Sequence, residues 1–272
     1  MNNTFNIKRF GLVMRKDFQE NWKRYTMQFL AMFGIIAIML YFQSDNMYRN
    51  SRMEPDYFLL IWTSFMFLGF GLLFASTFTE PMRSKIKRAS YLMNPSSNLE
   101  KYVSRWLIVT VGYIIAFFVA LWLADLLRVA ICSARYPEID VNMLDLGELI
   151  GMRNAGNVFS YNEFGFFVGL FFFLQSVCVL GSTFWEKVSF VKTFAAATIL
   201  VLLFLLLANW TISIFYTDFE QFTNVLDSFA KENQMSDTAF FTITTSVFAS
   251  LTLVFWIFAF FRFRESEIIK RW

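Results

Sequence analysis

The sequence predicts an all-α integral membrane protein, with six transmembrane helices and an N-terminal cytoplasmic amphipathic helix. Three observations lead to this class. Of 272 residues, 57% are hydrophobic and 20% aromatic, with 37 Phe. Soluble domains are roughly 45–50% apolar, and a water-facing molecule this rich in Phe would expose large apolar patches. The apolar residues also gather into six runs of about 17–25 residues, the length that crosses a bilayer. Finally, Lys and Arg are unevenly shared between the segments that join those runs.

The first element, within residues 1–25, carries Phe10, Met14, Phe18, Trp22 and Tyr25 at three- or four-residue spacing, with Arg9, Lys16, Glu20 and Lys23 on other faces. That period is an amphipathic helix suited to the headgroup layer, its cations beside anionic lipid. Residues 26–261 form the six-span domain: 26–42, 57–78, 106–132, 164–184, 193–216 and 239–261. None of these runs contains Pro, so none needs a proline kink. Residues 262–272 are a short basic tail.

Placing the N-terminus inside puts eighteen of the 24 basic residues on the inner segments, including Arg83, Lys85, Lys87, Arg88, Lys101 and Arg105 of the second one. The outer side keeps Arg49, Arg52, Arg128, Arg135, Arg153 and Lys231, among many carboxylates. The positive-inside bias therefore makes both termini cytoplasmic, and loop 79–105 lies on the same side. Within that loop, "EPMRSKIKRASYLM" reads as short helical turns beginning at Pro81. "NPSSN" then breaks the helix, because Asn94 precedes Pro95. "SNLE" matches a capping box, with Ser97 as the cap and Glu100 three positions on. Outside the membrane, helical spacing predicts short amphipathic segments in residues 143–152 and 218–238.

Polar groups within the spans are few. Asp125 and Arg128 stand three apart near the outer end of the third span and can pair on one face. Gln175 and Ser176 in the fourth span, and Asn209 in the fifth, are candidates for interhelical hydrogen bonds. Gly165 and Gly169 form a small-xxx-small pair, a signal for close helix packing.

The sequence excludes several chemistries. There is no His, which removes the commonest general base and metal ligand. Cys132 and Cys178 lie in apolar runs and form no CxxC. No GxxxxGK[ST] occurs, so the chain is expected neither to hydrolyse ATP nor to hold a cofactor or metal of its own. Without rows of midplane carboxylates, a proton-coupled carrier is disfavoured.

The cytoplasmic helix, the six spans and the short helical loop between spans two and three resemble the membrane (permease) subunit of the type-2 ABC exporter family. The motif that carries the resemblance is "SYLMNPSSNLEKYVSRWL", residues 90–107, similar to a "YL-x-x-P-x-S-x-x-E-K" pattern found in short bacterial permeases. The resemblance implies a permease dimer in the bacterial inner membrane and a separate ABC ATPase whose cleft receives the loop. Tyr91, Leu92, Met93, Pro95, Glu100 and Lys101 are then the coupling residues. Leu92 and Met93 serve as apolar anchors and Glu100 and Lys101 as rim charges. A non-catalytic membrane scaffold or ancillary subunit is the alternative, since its sequence would look much the same.

Overall fold

The computed structural model describes residues 5–49, 55–82, 91, 93, 95–147, 161–185, 188–215 and 237–265. Helices follow in the order α1 (Ile7–Arg49), α2 (Pro55–Ala75), a 3₁₀ turn (Glu80–Met82) and α3 (Asn98–Leu107). A π turn (Ile108–Gly112) joins α3 to α4 (Tyr113–Arg135), and α5 (Tyr161–Phe184), α6 (Ser189–Phe215) and α7 (Asp237–Glu265) complete the chain. The described residues contain no strand. Six helical stretches are long and apolar enough to cross a membrane, so the chain is an integral membrane protein. The segments 148–152 and 218–236 lie outside the described residues.

The opening segment, expected as an amphipathic helix of its own, and the first span are one helix. At 1.5 Å per residue, the 43 residues of α1 reach about 65 Å, roughly twice the hydrocarbon thickness of a bilayer. Nothing at the expected junction interrupts the ladder. No Pro or Gly falls between Gly11 and Gly34, and the Thr26 hydroxyl folds back onto the Trp22 carbonyl at 2.9 Å. The face turned towards the protein is also not the aromatic stripe. Val13 and Asp17 are buried, whereas Phe18 and Trp22 point away from the bundle, Trp22 being 57% exposed.

The rod made by α3, the π turn and α4 (residues 98–135) runs parallel to α1. Contacts occur in the same order along both: Arg9 meets Glu100, Asp17 meets Arg105, and Ser44 meets Arg128. The capping box starts this rod. The Ser97 hydroxyl accepts from the Glu100 N–H (3.2 Å), and the Glu100 carboxylate accepts from the Ser97 N–H (2.9 Å). Along α3 the buried positions are Glu100, Lys101, Tyr102, Ser104 and Arg105, and Ile108, Val109 and Thr110 carry them into the π turn. Along α4 they are Tyr113, Phe117, Ala120, Leu121, Ala124, Asp125, Arg128 and Cys132. A 3.6-residue period carried on from α3 would bring position 112 inward, one residue short of Tyr113. The π turn absorbs that extra residue, as π-bulges do, and leaves Arg105 and Arg128 both turned towards α1.

The core between α1, α2, α4 and α5 is largely aromatic. The Phe67 ring lies 4.5 Å from that of Phe171 and 5.1 Å from that of Phe117. Gly71 makes this possible, since a Cβ there would sit 2.5 Å from a Phe171 ring carbon. A second cluster joins Phe78, Tyr102, Val179 and Phe263, which brings the end of α7 against α3; the Tyr102 hydroxyl donates to the Trp256 carbonyl at 2.9 Å. The most extensive helix contacts are those of α5 with α7 and of α1 with α4. α6 meets mainly α5, where Gly181 allows Thr193 to come close, and its Ile199–Leu207 stretch is exposed throughout.

Candidate functional site: the Arg105 end of the bundle

The greatest concentration of buried charge lies where α3 meets the N-terminal half of α1. Arg105, 2% exposed, uses most of its donors. Nη1 bonds the Asp17 carboxylate and the Tyr25 hydroxyl, both at 2.8 Å. Nη2 bonds the Thr77 carbonyl at 3.0 Å, and Nε bonds the Phe78 carbonyl at 3.2 Å. Those two carbonyls belong to the turn that ends α2, so one guanidinium fastens α1, α2 and α3 together. Asp17 is satisfied further by Asn21 Nδ2 (2.9 Å) and by the Tyr25 hydroxyl (2.8 Å). A buried charge needs such partners, because an unpaired one is strongly destabilising. Arg24 pairs with Glu80 beside this joint.

Glu100 sits one turn further out. Its carboxylate accepts from the Asn6 N–H at 2.7 Å and from Arg9 at 3.0 Å, besides the Ser97 N–H. Burial alone would raise its pKa. The amides of Asn6 and Ser97 and the Arg9 guanidinium outweigh that, and the carboxyl titrates below the usual range.

This arrangement corrects the expected roles of two residues. Glu100 is fully buried, because the capping box and the Asn6 and Arg9 contacts turn it towards the protein, and Lys101 is nearly so, its ammonium lying over the Tyr91 ring. Neither can act as an exposed rim charge; the pair mounts the loop instead. Tyr91 is half-buried, with its hydroxyl 3.4 Å from the Lys101 carbonyl and its ring 5.8 Å from the Lys101 ammonium. Met93 is 83% exposed, and Pro95 is exposed beside it. Leu92 lies outside the described residues, as do Lys85 and Lys87.

The intramembrane candidates fall in three places. Asp125 and Arg128 pair at 2.6 Å and reach further. Arg128 Nη2 bonds the Asn142 carbonyl (2.8 Å), and Asp125 accepts from the Leu144 N–H (2.8 Å), so the pair fastens the loop after α4. Gln175 is fully buried and donates to Thr110 Oγ1 (3.1 Å) and to the Val109 carbonyl (3.4 Å) of the π turn. Asn209 is exposed on α6. Gly169 approaches α7, where an added Cβ would lie 3.3 Å from Thr245, whereas Gly165 faces open space. The close packing is thus between helices of this chain, at one glycine of the pair.

An apolar cavity of about 210 Å³ opens between α2, α4 and α5, walled by Phe67, Ile114, Phe118, Phe164 and Val168. Thr63 and Ser64 line it too, but their hydroxyls are spent on their own helix carbonyls. The cavity suits hydrocarbon and presents little to a polar group.

Asp17 and the π turn were not singled out by sequence, and Tyr25 and Arg9 were read as parts of a lipid-facing helix. One signal was present: Asp17, Asn21 and Arg24 form a polar stripe at helical spacing beside the aromatic one, and Tyr25 borders both. A stripe that mixes one acid with hydrogen-bonding groups inside a basic helix marks an inward face. Comparison of the chain with known families, curated proteins and solved structures finds no match.

Proposed function

We propose that this chain is the membrane-spanning permease subunit of an ATP-driven exporter, coupled to a separate ATP-binding subunit through the cytoplasmic loop 79–105. The reading includes a bacterial inner membrane with both termini cytoplasmic, and a homodimer or heterodimer of permeases. One observation carries it. A turn with an exposed methionine is mounted on a rod that runs without a break from residue 98 to residue 135, past the apolar cavity to the far end of the bundle. A partner docked on that turn can move the rod, and the rod's α4 face forms part of the cavity wall. The buried Glu100 and Arg105 contacts brace the mount against α1, so motion of the turn is passed to α3 and is not lost in the loop. The substrate on this reading is apolar or amphipathic, in keeping with the cavity lining.

The test is co-purification of an ATPase with the chain, together with substrate-stimulated ATP hydrolysis in liposomes. Met93→Ala combined with Leu92→Ala removes an anchor worth about 2–4 kcal/mol and is expected to release the ATPase while membrane insertion stays normal. Lys85→Gln with Lys87→Gln is expected to keep it. If no ATPase accompanies the wild-type chain, the scaffold alternative replaces this reading.

A further inference from the structure

We infer that the π turn at Ile108–Gly112, stitched by Gln175, is a register switch that lets α3 engage or leave its berth on α1 while α4 stays in place. The turn stores one residue more than an α-helix would use over the same path. If that residue is passed out through α3, the segment above the turn advances by one helical step, about 1.5 Å of rise and about 100° of rotation. Arg105 then leaves Asp17, Tyr25 and the turn carbonyls, and Trp106 takes up its direction. Arg128, below the turn, keeps Asp125, Ser44 and Asn142.

Three features favour a switch over a fixed irregularity. Arg105 and Arg128 both reach α1, whereas 23 residues of unbroken α-helix would turn them about 140° apart, so the present berth depends on the π form. The π form is held by a side chain from another helix: Gln175 Nε2 bonds Thr110 Oγ1 and the Val109 carbonyl, which the wider turn presents sideways. That stitch is also incomplete, because the Gln175 Oε1 is buried without a protein partner, so the state is less than fully satisfied. The turn lies between the exposed Met93 corner and the first cavity residues of α4, Ile114 and Phe117. The switch is a property of this chain alone; only its trigger, a partner pulling on the corner, rests on the exporter reading.

The experiment measures the distance between spin labels at Leu12→Cys on α1 and Leu99→Cys on α3, both exposed, with Cys132→Ser and Cys178→Ser to clear the background. The chain is studied in lipid without any ATPase. Gln175→Leu keeps the bulk and removes the stitch. Loss of one net hydrogen bond corresponds to about a fivefold shift, so a second distance should grow by about that factor over wild type. Arg105→Leu added to Gln175→Leu should make it the major one. Deleting Val111 removes the stored residue while leaving both arginines in phase, and in that background the same substitutions should give a single distance. Amide exchange across residues 108–113 should rise about fivefold in Gln175→Leu and stay unchanged when Val111 is also absent. The inference is overturned if no second distance emerges in Gln175→Leu with unchanged exchange, or if it emerges equally in the deletion background. Either result leaves the exporter reading to its own test.

Discussion

Arg105 and Arg128 lie on one helical rod about 34 Å apart, and each buries its guanidinium against α1. Their partners differ. Arg105 binds α1 through Asp17 and Tyr25, and the end of α2 through two carbonyls. Arg128 binds chiefly Asp125 on its own helix and the loop that follows; its reach to Ser44 on α1 is a longer 3.5 Å. The first is therefore a joint between elements, and the second fastens a neighbouring stretch of chain. The same residue type buried at the same depth has different leverage, according to how far apart in sequence its partners stand.

The sharpest way to break this comparison is Arg105→Leu. It leaves Asp17 and two carbonyls without their donor, and a cost of about 3–5 kcal/mol is expected, read as a lower midpoint in thermal unfolding in detergent. Equal losses for Arg105→Leu and Arg128→Leu would remove the distinction between joint and fastener. At the other end, the double change Asp125→Leu with Arg128→Leu removes both charges together. Replacing a buried pair by apolar groups is often neutral or stabilising, so the midpoint should move by less than about 1 kcal/mol, while protease access near residues 142–144 rises as that loop is freed. If the midpoint collapses, Arg128 supports the bundle as Arg105 does.

Acidification probes the Arg105 end through Glu100. Glu100 titrates below its ordinary value, so its stabilisation is present above the unfolded pKa and is lost as pH falls through the folded one. Wild type should therefore lose stability on acidification more steeply than Glu100→Gln, and matching slopes in pH-dependent melts would contradict the internal role assigned to this carboxylate. The smallest expected effects separate the two glycines of α5. Gly169→Ala should cost about 1 kcal/mol against Thr245. Gly165→Ala, facing open space, should be neutral or slightly stabilising through helix propensity. Equal effects at both would mean that the α5–α7 approach is looser than the structure has it.

The six crossing helices were legible because length and apolarity are local properties of the chain, and the capping box was legible because its two partners stand three residues apart. The burial of Glu100 and Lys101 was not, since it depends on Asn6 and Arg9, more than ninety positions away, and a charge in a basic loop reads as solvated. The fusion of the opening helix with the first span was hidden for a different reason: a change from polar to apolar sequence looks like a boundary, yet the backbone needs no break where the solvent changes. The π turn left a faint trace in the spacing of two arginines that both face α1, Arg105 and Arg128, since 23 residues of unbroken α-helix would turn them about 140° apart. It becomes visible only once the inward face of each half is known.

The separation of the two buried arginines also has a consequence for the lipid. Both are tied to α1, so the distance between them is set by covalent geometry and cannot shorten by tilting one helix against the other. The pair of rods is thus a ruler. A bilayer whose hydrocarbon layer is near 30 Å lets both guanidiniums sit at its edges, whereas each ångström of mismatch costs fractions of a kcal/mol in bent lipid or tilted protein. Reconstituted into a series of bilayers of increasing acyl length, the protein should show an optimum thickness, and that optimum should move when a full turn of residues is removed from the rod between Arg105 and Arg128 and from the facing part of α1.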